Sequence, residues 1–308
     1  MLKKRIIFIV GPTASGKSAV AYCLAKKING EIVCCDSMQV YQGMNILNSA
    51  PEDKFKRQVK HHLFEQVPVT CEYDVSRYRK QANAAIIDIF SRGKTPILVG
   101  GTGLYMSILL DGIFEVKIPE QEKIRSRLYK LSQDKGKEYL YQILLKTDKE
   151  AAAKIHPHDL KRVIRALEVF LGTGKKISFL QKQRSGLADS YDIKAFCLNM
   201  DRKDLYSRID KRVNKMQKSG LLKEVKDLLK KKTSRTASFA IGISEIGSYL
   251  KDECLLEEAL ERIKHNTRLY AKRQLTWFRK DKRLCWIEIK AKDKPSAISK
   301  LIANRLES

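Results

Sequence analysis

Histidine and tryptophan are scarce in this 308-residue sequence, at five and two residues, and its seven cysteines never form a C-x-x-C pair. The spacings of a structural zinc site or a dithiol redox site are therefore missing. The thiols read as buried, reduced groups of a cytoplasmic protein, with Cys34 and Cys35 inside an apolar strand. No apolar run approaches the roughly 20 residues that a membrane-spanning helix needs, so no membrane partner is expected. The chain opens Met1-Leu2-Lys3-Lys4-Arg5, but the apolar stretch behind it, Ile6–Val10, is only five residues long and runs into a glycine loop. It reads as a first strand rather than a secretion leader. Neither an internal repeat nor a low-complexity linker interrupts the chain. With 43% hydrophobic residues, the sequence is that of a folded protein and not a disordered one.

Positive charge is abundant, with a formal net charge of +26. Up to Val116 there are 15 basic and 10 acidic residues, net +5; the remainder carries 46 and 25, net +21. Such an asymmetric excess favours a polyanionic partner, although lysine-rich helix faces alone would also produce it.

The first part alternates strands and helices. Arg5–Val10, Glu31–Asp36 and Thr95–Val99 are apolar throughout, and Arg77–Arg92 carries apolar residues at helical spacing. That pattern predicts an α/β fold, a parallel sheet covered by helices on both faces. Ligands of such sheets bind at the carboxyl ends of the strands, where residues 11–18, 36–39 and 100–103 should meet. From about Pro119 helices dominate. Leu160, Val163, Ile164, Leu167, Phe170 and Leu171 form one apolar stripe, with Asp159 near the helix start and Gly172 at its end. Ile193–Leu198 reads as a returning strand, and Asp201–Lys232 as one long basic helical segment. The expected organisation is a phosphate-loop core, 1–118 and 191–308, interrupted by a mostly helical insertion at 119–190.

The strongest chemical signal is Gly11-Pro12-Thr13-Ala14-Ser15-Gly16-Lys17-Ser18, a G-x-x-x-x-G-K-S loop directly behind a strand. Its amides and Lys17 can cradle phosphates, and the Ser18 hydroxyl can ligate Mg²⁺. A nucleotide hydrolase usually adds an acid at the end of another strand. Here TPILV ends in Gly100-Gly101-Thr102-Gly103, and the acid is Asp36, which leads into Ser37-Met38-Gln39. Asp36 suits a metal ligand, a general base or a turn cap. Arg208 and Arg212, four apart on a helix, form a second phosphate clamp or a solvated face. Thr267–Arg283 interleaves basic residues with Tyr270, Trp277 and Phe278, as nucleic-acid surfaces do. Tyr270 and Trp277 are also spaced like the core side of a helix. The His61-His62 pair, His156 and His158 lack ligand spacing.

In order along the chain, GPTASGKS, DSMQVYQGMNI, HHLFE, PILVGGTGLY, HPHDLKRVIRALEVF, LYSRIDKRV, GLLKEV and TRLYAKRQLTWFR resemble the bacterial tRNA dimethylallyltransferase (tRNA isopentenyltransferase) family over residues 11–279. DSMQVY, VGGTGLY and AKRQLTWFR are more specific than the phosphate loop. The resemblance implies that the loop holds dimethylallyl diphosphate with Mg²⁺ instead of hydrolysing ATP. It implies transfer of the allylic group to the exocyclic amine of the adenosine 3′ of a tRNA anticodon. Asp36, Thr102 and Arg212 are then the catalytic candidates. Gly11 to Ser18, Arg208 and Arg212 bind the diphosphate, and Ser18 holds the metal. The tRNA contacts map to Asp36-Ser37-Met38-Gln39, Thr102, Arg125, Lys161-Arg162-Val163-Ile164-Arg165 and Lys272-Arg273-Gln274. The expected partners are a tRNA anticodon stem-loop and the donor, bound by a monomer.

The sequence departs from the family in two places. Ser18 replaces the usual threonine and keeps its hydroxyl. Gly242-Ile243-Ser244-Glu245 replaces G-Y-K/R-E/Q, which removes an aromatic and a cation and is expected to weaken one RNA contact. No Cys/His finger follows Arg283, which points away from the eukaryotic form. An enzyme that prenylates free adenine nucleotides is the alternative, but it has no need of the +21 half; a small-molecule kinase and a non-enzymatic RNA-binding module fit less well.

Overall fold

The structure, a computed structural model, describes residues 3–307; Met1 and Leu2 of the basic start lie outside them. Six strands are Arg5–Val10 (β1), Gly30–Cys34 (β2), His61–His62 (β3), Thr95–Gly100 (β4), Asp192–Met200 (β5) and Leu284–Ile289 (β6). They form one all-parallel sheet in the order β3-β2-β4-β1-β5-β6. Ile6 to Val10 in β1 and Ile32 to Cys34 in β2 are all buried. Side chains pointing to both faces are thus covered, as the unbroken apolar runs require. The fold is the expected α/β type.

β3 and β6 are additions to the sequence reading. β3 is two residues long, too short to carry a pattern, and β6 is an edge strand that buries Leu284, Ile287 and Ile289 without strict alternation. β2 ends at Cys34, so Asp36 lies beyond the strand and not in it. The basic segment 201–232 is two helices, Arg202–Lys218 and Leu221–Leu229, broken at Gly220 with φ 101°. The helix Leu160–Thr173 runs past Gly172 and ends at Gly174 in the left-handed region. Gly172 instead seats Ile118, whose Cγ2 would lie 2.2 Å from a Cβ there.

Two compact units result. Residues up to Leu110 and from Leu187 onward make the sheet-bearing unit, and residues 111–186 make a helical one. The helical unit starts earlier than Pro119 because Phe114, Val116 and Ile118 pack on its own core of Leu128, Leu140, Leu144, Val163 and Leu167. It ends before 190 because Leu187 belongs to the core of the sheet-bearing unit. Among the described residues no helix is long and apolar enough to cross a membrane.

The histidines next to the sheet have structural partners. His62 Nε2 bonds the buried Glu31 carboxylate at 2.7 Å, and Arg92 and Lys94 bind the same group. Burial alone would raise the Glu31 pKa, but the hydrogen bonds from Arg92, His62 and Lys94 hold it well below the carboxylate range.

Candidate active site

The loops behind β1, β2 and β4 meet because these three strands are neighbours in the sheet. Their approach is close. A Cβ at Gly100 would lie 1.9 Å from the Cys35 carbonyl oxygen, and one at Gly11 would lie 2.6 Å from the Leu198 carbonyl oxygen. Only glycine permits either approach. Behind β1 the chain wraps into the phosphate loop with Ala14 at φ 64° and Gly16 at φ 89°, and the helix Lys17–Lys27 starts at its end. The helix therefore aims its free N–H groups at the site.

These loops line a cavity of about 840 Å³, within the range of small-ligand sites. Lys17, Ser18, Asp36, Arg208, Arg212 and Tyr270 all border it. Lys17 Nζ donates to the Pro12 carbonyl at 2.6 Å. Arg212 Nη1 donates to Thr13 Oγ1 at 2.7 Å, and Nη2 reaches the Leu47 carbonyl at 3.5 Å. Arg208 Nη2 donates to the Ala291 carbonyl at 2.8 Å, and its guanidinium passes over Gly16. Thus both expected arginines stand over the loop.

Electrostatically, this cluster is short of negative charge. Burial lowers the Lys17 pKa to about 8, with Arg212 pushing the same way and Asp36 opposing. Burial also lowers the Arg212 pKa, again opposed by Asp36. One carboxylate thus offsets two enclosed cations, which is the state of a site built for an added anion.

Asp36 Oδ1 accepts from the Met38 N–H at 3.0 Å. Its second oxygen has no hydrogen bond among the described residues. Thr102 Oγ1 accepts from the Ser37 N–H at 2.9 Å and donates to Ser37 Oγ at 3.2 Å. The β4 turn and the β2 turn are thereby bound side by side. Gln39 holds the Asn48 carbonyl at 2.9 Å, and Met38 and Gln39 also border the cavity. Across from them, Glu224 accepts from the N–H groups of Ile46 and Leu47, both at 2.9 Å, and so fixes the segment that carries Leu47.

The donor set also decides which metal suits the site. Among the described residues there is no cluster of three or more His, Cys, Asp or Glu side chains that could hold an ion. The protein offers the Ser18 hydroxyl on the cavity wall, with Asp36 on the same wall. Hard oxygen donors in this small number fit Mg²⁺, which keeps several waters and takes phosphate oxygens as further ligands.

Not every expected RNA contact is placed to make one. Val163 and Ile164 are buried in the core of the helical unit. They lie on the apolar stripe, so only Lys161, Arg162 and Arg165 of that run remain outside it. Gln274 is buried as well, and both ends of its amide are used: Oε1 accepts from the Thr13 N–H at 2.8 Å, and Nε2 donates to the Gly101 carbonyl at 2.9 Å. It braces loops and is not a surface group. Lys272 and Arg273 beside it are exposed. Ile243 is also buried, so its replacement of an aromatic alters the core and not an RNA-facing surface. Ser244 is exposed and donates to Glu245 at 2.9 Å.

In the helical unit, Arg125 and Arg165 both bind Glu168, which is fully buried. Arg125 Nε donates at 2.9 Å and Nη2 at 3.4 Å. Both arginines keep over a third of their side-chain surface exposed, and Arg125 Nη1 also donates to the exposed Glu122 at 3.3 Å. Glu168 is a residue that the sequence reading did not single out. Its signal is there: a glutamate on the apolar side of a helix, three residues after Arg165.

Known proteins resemble this chain along nearly its whole length. The IPP transferase family model matches residues 39–281, and the Isopentenyl transferase model matches residues 4–70. A tRNA dimethylallyltransferase of Geobacter sulfurreducens is 43% identical over 94% of this chain and 93% of its own length. The crystal structure of a tRNA isopentenylpyrophosphate transferase from Bacillus halodurans superposes with a TM-score of 0.73 at 37% identity, over 99% of this chain and 97% of that one. A eukaryotic dimethylallyltransferase acting on tRNA superposes with a TM-score of 0.80 at 30% identity, over 99% of this chain and 79% of that one.

Proposed function

The chain belongs to the IPP transferase family, and from that membership we propose that it moves the dimethylallyl group of dimethylallyl diphosphate onto the exocyclic N6 amine of the adenosine 3′-adjacent to a tRNA anticodon. One observation carries the assignment beyond the family. The phosphate loop and two half-buried cations, Lys17 and Arg212, share one cavity with a single carboxylate, Asp36, and β4 ends in glycine instead of an acid. This suits a site where a diphosphate leaves and a proton is taken up, more than one that activates water against a nucleotide.

The reaction breaks the C1–O bond of the donor, and the electron pair leaves with the diphosphate. The loop amides, Lys17, Arg208 and Arg212 receive that growing charge. The N6 lone pair forms the new C–N bond, and Asp36 takes the N6 proton through the oxygen not used by Met38. Thr102, beside Ser37, orients the adenine edge. Ser18 would hold Mg²⁺, which supplies neutralisation of the phosphate oxygens when bound. The target base must leave its stack to reach the cavity, at a cost of a few kcal/mol. Exposed Lys161, Arg162, Lys272 and Arg273, with Arg125 and Arg165, supply backbone contacts that offset it. We read the enzyme as a cytoplasmic monomer.

The test is transfer of labelled dimethylallyl group, with Mg²⁺, to unmodified tRNA carrying an A-A-A run 3′ of the anticodon, compared with free AMP. Label in tRNA alone is expected. Label in AMP alone would reassign the acceptor, and ATP consumption without prenyl transfer would overturn the reading.

A further inference from the structure

Gln274 lies deep in the helix Leu256–Phe278, on the face that buries Ala271 and Phe278. Its amide joins two loops that are otherwise far apart in sequence. The carbonyl end takes the N–H of Thr13 in the phosphate loop, and the amide end holds the carbonyl of Gly101 in the turn behind β4. Seating is tight: a Cβ at Gly101 would lie 2.1 Å from Gln274 Nε2. The link extends on both sides. Thr13 Oγ1 receives Arg212, which faces the diphosphate site, and Gly101 is followed by Thr102, which is tied to Ser37 beside Asp36.

An N–H must be met by an acceptor and a carbonyl by a donor, so this position needs both at fixed spacing on one neutral group. An ionised glutamate can only accept, lysine and arginine can only donate, and methionine is at most a weak acceptor. Leaving either buried backbone group unmet would cost more than the bond contributes.

We propose that Gln274 is a positioning residue that couples the diphosphate site to the nucleobase site, so that filling one orders the other. This rests on the functional reading above and adds to it a mechanical link between donor and acceptor. Thermodynamic reciprocity then applies: a ligand in the phosphate loop tightens RNA binding by the same factor as RNA tightens that ligand.

The experiment measures binding of an anticodon stem-loop RNA with and without magnesium diphosphate, for the full-length protein and its Gln274→Glu and Gln274→Met variants. Initial rates give KM for donor and for tRNA. In the unmodified protein, diphosphate should tighten RNA binding by about fivefold or more, the usual scale of such coupling. Gln274→Met should bring the ratio close to one and raise the donor KM roughly tenfold. At a pH where it is ionised, Gln274→Glu keeps the acceptor for Thr13 but opposes the Gly101 carbonyl with another oxygen. It should therefore lose the coupling while its donor KM stays within about threefold. A ratio of one in the unmodified protein overturns the proposal, as do variants that keep the unmodified ratio while only melting lower. Failure of the functional reading looks different: the unmodified protein would bind no RNA or would prenylate only AMP, and the inference would fall with it.

Discussion

Arg212 reaches across 199 residues of chain to place its Nη1 2.7 Å from Thr13 Oγ1. The guanidinium is thus anchored to the phosphate loop by a hydrogen bond within the protein. A side chain held by such a bond has less rotamer freedom to lose on binding than an untethered one.

Arg212→Ala should therefore act on the donor. Truncating a charged hydrogen-bonding group in an enclosed site typically costs about 2–3 kcal/mol, or roughly 30- to 150-fold. The donor KM should rise on that scale while RNA affinity stays within about threefold. Arg212→Lys should recover little, because a single ammonium cannot span Thr13 and the Leu47 carbonyl as the fork does. Steady-state kinetics with each substrate varied separately decides this. A selective loss of RNA binding would place Arg212 on the other substrate.

Lys17 gives a pH dependence whose sign can be worked out. Burial and the neighbouring Arg212 lower its pKa to about 8, with Asp36 opposing. Below that pH it is an ammonium ready for phosphate, and above it the charge is lost. Calorimetric binding of inorganic diphosphate, without added metal, should weaken as pH rises through about 8. Lys17→Met should bind weakly at every pH and lack this step, which separates the lysine from titration of the ligand itself. A step of equal size in Lys17→Met would assign it elsewhere.

Asp36→Asn keeps the acceptor for the Met38 N–H and removes the base. A positioned base contributes about 10²- to 10⁴-fold, so kcat should fall on that scale, with tRNA affinity within about tenfold of the unmodified protein. Single-turnover transfer with bound donor and tRNA reads the chemical step directly. Unchanged turnover would leave Asp36 as a turn cap only.

Much of this site is legible in the sequence because its parts are local. The phosphate loop, the acid behind the second apolar run and the glycine turn behind the third each occupy a few consecutive residues. A parallel sheet brings such turns together at one end. What sequence reasoning misassigns depends on the side from which a helix is seen. Gln274 sits in a basic, aromatic run and reads with it as an RNA contact, although its spacing from Ala271 and Phe278 puts it on the buried face. Val163 and Ile164 go with their charged neighbours in the same way, although their own apolar stripe assigns them to a core. Glu168 escapes notice for the opposite reason. A charged residue within an apolar stripe has meaning only when its partners are known, and one of them, Arg125, is 43 residues away. β3 and β6 escape because a two-residue strand and a half-exposed edge strand carry too little periodicity.

Gly100→Ala tests the closest approach between the β4 and β2 turns. The atom a new Cβ would meet is the Cys35 carbonyl oxygen, at 1.9 Å, with the Asp36 nitrogen 2.8 Å away. Backbone cannot swing aside as a side chain can, so Asp36 itself must shift. Overpacking of this kind costs about 1–3 kcal/mol or more, and a displacement near 1 Å at a reacting group can cost about 10²-fold in rate. Melting temperature and kcat should both fall, with kcat falling further than loss of folded protein explains. Gly43→Ala is the control, since a Cβ there meets nothing within 4 Å and only its positive φ is strained.

Glu168→Gln isolates the RNA side. The buried carboxylate receives Arg125 and Arg165 from two helices, and it fixes two guanidinium groups on side chains that stay partly exposed. A glutamine has one acceptor in place of two and turns an N–H toward a cation. At least one arginine should then lose its fixed position while both keep their charge. If those arginines hold RNA phosphates, the tRNA KM should rise about tenfold, with donor KM unchanged and kcat within about twofold. The slope of log affinity against log salt should also shrink by about 0.7–0.9 for each phosphate that is no longer neutralised. A purely structural role would lower the melting temperature of the helical unit without touching that slope. Circular dichroism alongside the salt series therefore separates the two: a lower melting temperature with an unchanged slope would remove Arg125 and Arg165 from the RNA interface, and a reduced slope at unchanged helicity would make Glu168 the residue that aims them.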